Sequence, residues 1–191
     1  MLADQSDTPA DSQIVEHFGQ ADFDPETVKQ YRNRFASRAP DHPWLLLDDA
    51  ALLTKLSALR RDRATGLEGA TVAGLLMFGR FEALREALPG FHVDYRERLS
   101  DDPAVRWTDR VVPDGTWENN LFQFYVRVMQ RLSGDLKMPF QLDRELYRKD
   151  DTAVHEALRE AVVNALVHAD HRGQGGVVME RYPDRIELSN P

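Results

Sequence analysis

Apolar residues along this chain recur first at helical spacing, then at alternating spacing, then at helical spacing again. "DPETVKQYRNRFASRA" (24–39) predicts a helix, with Asp24 as its cap and Pro25 in the first helical position. Pro40 and Pro43 stop it. "DDAALLTKLSAL" (48–59) predicts a second helix carrying Leu52, Leu53, Leu56 and Leu59 on one side. The basic "RRDRATGLEG" that follows reads as a connector, and "ATVAGLLMFGRFEALREAL" (70–88) reads as one long helix with a central, apolar first half. The period then changes. "FHVDYRER" (91–98) alternates as a strand does, and "VRWTDRVV" (105–112) is its expected partner. "ENNLFQFYVRVMQRLSG" (118–134) returns to helix and stops at Gly134; "KMPFQL" reads as a short edge strand because of Pro139. A helix from about Thr152 to Asp170, capped by Asp150 or Asp151, leads into "GGVVMERY" and "RIELS", two strands around a Pro-Asp turn.

The expected fold class is therefore α+β. A helical N-terminal segment (23–88) packs on a small, mostly antiparallel sheet within 89–191, and the polar residues 1–22 form a flexible tail or linker. Composition narrows the class without changing it. With 191 residues, 42% of them hydrophobic and 29% charged, the chain has the make-up of a soluble globular protein. The densest apolar patch, "AGLLMF" at 73–78, is too short to cross a bilayer, so no membrane partner is expected. The first residues lack a basic, then apolar, secretory signal, and the absence of Cys excludes disulfides and thiolate metal sites; both fit a cytoplasmic protein. A net charge of −8 opposes sequence-independent binding of nucleic acid by the chain as a whole.

The stretch with the richest chemistry is "EALREAVVNALVHADHRGQGG" (156–176). Helical projection puts Val154, Leu158, Ala161, Val162, Ala165, Leu166 and Ala169 on one apolar face. Glu156, Glu160, Asn164 and His171 fall opposite, with His168 at the edge and Asp170 just beyond. Periodicity alone makes this a solvated face. Two features point further. Asn prefers caps and turns to helix interiors, so Asn164 among Ala, Val and Leu carries a cost. The face also leads into glycines that allow close approach of backbone to a ligand. His168, Asp170 and His171 lie too close together at a helix end to suggest a complete metal site. Arg60, Arg61 and Arg63 read as a solvated basic loop, and Trp44, Trp117 and Trp107 as packing anchors.

"LREAVVNALVHADHRG" with "VVMERYPDRIELSNP" resembles the first half of the divergent GHKL-type ATPase domain of bacterial RecG-helicase-related transcriptional regulators, in which it follows a Schlafen/AlbA-type DNA-binding domain. Residues 24–59, 70–98, "RWTDRV" and "NLFQFYVRV" resemble the region between the two, so the likeness spans roughly 20–191. It implies that residues 89–191 contain the start of a truncated GHKL-like α/β sandwich. GHKL ATPases carry Glu-x-x-x-Asn in their first motif helix, which "EAVVN" matches. The resemblance implies that Glu160 orients or deprotonates the attacking water and that Asn164 binds Mg²⁺ bridging the phosphates of ATP. His168 and Asp170 stand where the family continues differently, and are carried as cofactor-binding candidates beside Asn164. Asn190 is the nearest counterpart of the adenine-reading Asp of the family's Asp-x-Gly-x-Gly loop. The glycines of that loop do not follow, so the expectation is a fragment of a DNA-binding transcriptional regulator that does not hydrolyse ATP by itself. Its DNA contacts are expected in an upstream domain and its nucleotide, ATP with Mg²⁺, in the intact parent. An ATP-hydrolysing parent and a nucleotide-free dimerisation module, giving a homo-oligomer, are the alternatives.

Overall fold

The computed structural model of this chain describes residues 9–134, 153–173 and 175–191. The expected edge strand at 137–142 and the helix cap at Asp150 or Asp151 lie outside the described residues. The fold is mixed α+β, and the chain divides into two compact units: Met1–Pro89 with Gly115–Phe122, and Gly90–Asp114 with Gln123–Pro191.

The first unit begins with a cap that forms as its sequence dictates. Helix α1 (Pro25–Arg38) opens on Asp24, whose Oδ2 accepts from Thr27 N at 2.8 Å and Thr27 Oγ1 at 2.6 Å. One carboxylate thereby satisfies a backbone donor that the first helical turn leaves unpaired. Tyr31 on this helix meets Phe78 edge-on with ring centroids 5.4 Å apart, and Phe122 at 5.9 Å. Helix α2 (Asp49–Lys55), capped by Asp48, ends earlier than its leucine pattern predicts, because Ser57 takes a positive φ of 59° and turns the chain.

The basic connector is in fact a β-hairpin, β1 (Leu59–Arg61) against β2 (Glu68–Ala70). Its turn is built by Asp62, which accepts from Ala64 N, and by Gly66, whose φ of +77° suits a residue without Cβ. The predicted long helix of 70–88 is two, α3 (Val72–Phe78) and α4 (Phe81–Ala87). The break has a tertiary cause. Phe78 O accepts from Asp24 N at 2.7 Å and Arg80 N donates to Asp22 O at 2.8 Å, so backbone groups that a continuous helix would use internally are spent on residues 22–24. Gly79 sits between them, with Leu75 O only 2.5 Å from where a Cβ would stand. Asn120, buried, fastens the same point by donating to Gly79 O and Thr27 Oγ1. Residues 9–22 are not a free tail either. Val15 N donates to Ala70 O, Ala70 N to Phe18 O, and Val72 N to Gln13 O, which lays this polar stretch along the outer edge of β2. Its low apolar content hid backbone pairing, which needs no apolar side chains.

The second unit is built on a four-stranded sheet. Strands β3 (Val93–Glu97), β4 (Asp109–Val111), β5 (Val177–Arg181) and β6 (Ile186–Ser189) lie in the order β4-β3-β5-β6. β3–β4 and β5–β6 pair antiparallel, as their alternation and the Pro-Asp turn predict. The central β3–β5 pair is parallel, and between its strands the chain runs through helices α5 (Leu121–Gly134) and α6 (Ala153–Val167). One sheet face carries Val93, Tyr95, Val111, Val177 and Met179, all buried. Phe124, Val128 and Leu132 of α5, and Val162, Ala165 and Leu166 of α6, supply the remaining core of this unit.

Candidate functional site

Helix α6 forms from a run of Ala, Leu, Val and Glu, all tolerant of helix apart from the β-branched Val positions. Val162, Ala165 and Leu166 fall on one stripe and are buried, and the helix lies against β6. That orientation fixes the rest. Glu160, Asn164 and His168, spaced four apart, project from the opposite side and are all exposed. Val163 and Val167 share this outer face and are 41% and 62% exposed, and Val154, expected in the core, is exposed as well. The outer face is thus a carboxylate, an amide and an imidazole interleaved with two valines.

The helix stops three residues short of its expected end. Asp170 takes the backbone N–H groups of Arg172 (3.0 Å) and Gly173 (3.2 Å) on Oδ1, a local turn that competes with helical bonding. Its carboxylate therefore shapes the loop. His171, expected beside Glu160 and Asn164, turns inward: Nε2 donates to Leu166 O at 2.7 Å and the ring packs on Phe91 with centroids 5.5 Å apart. That bond satisfies one of the carbonyls left open at the helix C-terminus. The loop continues through Gly175 at φ +122° and Gly176, where a Cβ would stand 2.8 Å from His92 O. Asp170 N lies 3.4 Å from Pro191 O, so the end of α6 and the end of β6 converge, with exposed Asn190 at the junction. Asp170 and the Asn190–Pro191 end are brought to one place; His168 lies just past the helix end, and Glu160 and Asn164 climb away from it along α6. No group of three or more His, Asp or Glu among the described residues is arranged to hold a metal ion. Asn164 and Glu160 offer an amide oxygen and a carboxylate that are both accessible, a donor set suited to sharing a hard cation with ligand oxygens rather than enclosing it.

The second face of the sheet holds charge that the sequence reading passed over. Asp94 is fully buried, yet it accepts from Arg110 Nε (2.9 Å) and Nη2 (2.8 Å) and from Arg96 Nε (2.7 Å). Burial pushes its carboxyl up, but the guanidinium hydrogen bonds of Arg110 and Arg96 outweigh this and hold it below the usual carboxylate range. Arg110 also stacks on Trp107, 4.8 Å from the ring centre, and Glu180 pairs with Arg98 at 2.8 Å. On the core face, buried Tyr95 donates to Glu97 Oε1 at 2.7 Å, and burial followed by the Glu97 carboxylate raises the phenol far above its ordinary value. The alternation of "VDYRER" signalled a strand; the burial of its charged side required the register to Arg110 and Glu180.

Comparison with known proteins adds fold and no chemistry. A family model described as a domain of unknown function (DUF8451) matches residues 1–94, which takes in the Met1–Pro89 part of the first unit and the opening of β3. No curated protein matches. Among solved structures, the chain is similar to the crystal structure of the DIP2311 protein from Corynebacterium diphtheriae, with a TM-score of 0.68 and 17% identity over 98% of this chain. The chain spans 34% of the length of that protein. At this identity the likeness is one of fold.

Proposed function

We propose that this chain is the central part of a bacterial DNA-binding transcriptional regulator of the RecG-related kind, and that its second unit carries the first half of a GHKL-like Mg-nucleotide site. The observation that carries the reading is the exposure of Glu160 and Asn164 on one face of a helix whose C-terminal loop meets Pro191, the residue after Asn190. A solvent-facing Asn in the middle of a helix has a propensity cost and no core role to offset it. In this reading Asn164 would offer its amide oxygen to Mg²⁺, Glu160 would hold a water in the intact parent, and Asn190 would face the base. Magnesium, when bound, neutralises phosphate charge. His168 lies along the phosphate side, and Asp170 acts indirectly by setting the loop.

The test is calorimetric titration of Mg-ATP into the full-length protein and its Asn164→Ala variant. Loss of magnesium-dependent binding in the variant supports the reading; identical isotherms remove Asn164 from it. A second reading, a scaffold used for association without nucleotide, is favoured by Val163 and Val167, which leave apolar surface on the same outer face. Sedimentation with and without Mg-ATP separates the two, since only the second predicts self-association indifferent to nucleotide.

A further inference from the structure

We propose that a groove in the second unit, between the β3–β4 and β5–β6 connections, binds a short apolar peptide with free termini. Its place follows from the topology. β3 and β5 lie side by side and parallel, so the residues after Glu97 and Arg181 leave the sheet at the same end. From there the chain departs in two directions, through 98–108 to β4 on one side and through 182–185 to β6 on the other. Adjacent parallel strands whose connections part in this way leave a crevice beyond their carboxyl ends, a recurrent place for small ligands. Here the crevice is a groove of about 580 Å³, walled by the β3–β4 connection on one side and by Tyr182 and Pro183 on the other. The loop after α6 enters β5 at Val177, the opposite end of that strand, so the groove stands apart from the nucleotide reading.

Most of the lining is already fixed. Arg98 donates from Nε and Nη2 to Glu180 Oε1, both at 2.8 Å, and Arg185 stacks on Tyr182, 4.0 Å from the ring centre. Ser100 Oγ accepts from Asp102 N at 3.2 Å, and Asp102 Oδ1 accepts from Ala104 N at 2.9 Å, so the facing loop is folded on itself. Two charges on the groove are left over. Arg106 rests on the ring of Trp107, 4.7 Å from its centre, a contact that uses the plane of the guanidinium and leaves its edge N–H groups for a ligand. Asp101 is exposed, and among the described residues neither it nor Arg106 forms an ion pair, with each other or with a third group. One unpaired cation and one unpaired anion on the same groove complement a ligand that carries a carboxylate and an ammonium group. Between them Pro103, Pro183 and Val105, 42% exposed, offer apolar surface. A phosphate dianion matches less well, because Asp101 and Asp102 repel it. A short apolar peptide meets all three features, with its carboxylate on Arg106, its ammonium on Asp101 and its side chains against Pro103, Val105 and Pro183.

The experiment uses the whole 191-residue chain and amide chemical shifts measured by NMR, with the dipeptide Leu-Leu as probe and no nucleotide present. Titration is expected to move the amides of Arg98, Asp101, Arg106 and Tyr182 and to leave those of Glu160 and Asn164 in place. Acetyl-Leu-Leu, without the ammonium, and Leu-Leu-amide, without the carboxylate, bind about tenfold more weakly, a loss of about 1.4 kcal/mol each. Arg106→Gln weakens Leu-Leu to the same degree and no longer distinguishes it from Leu-Leu-amide; Asp101→Asn no longer distinguishes it from acetyl-Leu-Leu. Unmoved shifts elsewhere in each variant report an intact fold. Still amides at millimolar Leu-Leu, equal binding of either blocked peptide to the native chain, or a variant that keeps the discrimination its residue is assigned each overturn the proposal.

Discussion

Asp94→Asn tests whether the second face of the sheet is held by charge. The native carboxylate is fully buried and receives Nε–H and Nη–H donors from two guanidinium groups. The substituted amide keeps one acceptor oxygen but turns an NH₂ group toward those donors and leaves two cations without their counter-charge. Breaking one partner of a buried ion pair costs about 3–5 kcal/mol. Arg96 and Arg110 are themselves 26% and 29% exposed and regain some water, so the lower end applies. About 3 kcal/mol corresponds to a fall in Tm of roughly 6–12 °C for a chain of this size. The assay is thermal unfolding followed by circular dichroism at several pH values. Asp94 is held below its ordinary value of 3.8, so its contribution is complete above that pH and is lost as pH falls through the lower folded value. The gap between wild type and variant therefore closes under strong acid. A gap below about 1 kcal/mol at neutral pH, or one that acid does not reduce, refutes the reasoning.

Three further changes probe the first unit and the core of the second. Gly74→Ala puts a Cβ 2.3 Å from Ala58 O and 2.8 Å from Ala58 Cα, both backbone atoms, so urea unfolding is expected to show a loss of about 2–3 kcal/mol where helix propensity alone predicts a gain. Asp24→Ala removes the acceptor of Thr27 N and Thr27 Oγ1 and lowers stability by about 1–2 kcal/mol, read as a shifted denaturant midpoint with faster amide exchange at the start of α1. Tyr95→Phe deprives buried Glu97 of its hydroxyl donor and costs about 1–3 kcal/mol in the same assay.

How much of this was legible in the sequence depends on what each feature rests on. Features set by near neighbours were. Asp24-Pro25 gives the start of α1, the alternation of 91–98 gives β3, and Pro183-Asp184 gives the β5–β6 turn. Features set by distant backbone pairing were not. Nothing local tells that residues 22–24 take the peptide groups around Gly79 and split a predicted helix, or that residues 13–18 run along β2. The basic "RRDR" looked like a loop because charge masks a strand edge whose apolar neighbours are few. At the candidate site, the exposure of Glu160 and Asn164 follows from helical spacing, since the valine and leucine stripe must face inward. The inward turn of His171 does not, because it depends on where the helix stops, and Asp170 stops it with a side-chain bond that periodicity does not contain.

The central claim is that Asn164 holds a magnesium-bound nucleotide. Its most direct test is the magnesium-dependent affinity for ATP of the full-length protein, measured by calorimetry for wild type and Asn164→Ala. Because Asn164 is exposed, the substitution is expected to leave the melting temperature unchanged and to weaken Mg-ATP binding by at least about tenfold, or 1.4 kcal/mol. Equal affinity in the two proteins, with magnesium present, contradicts the account.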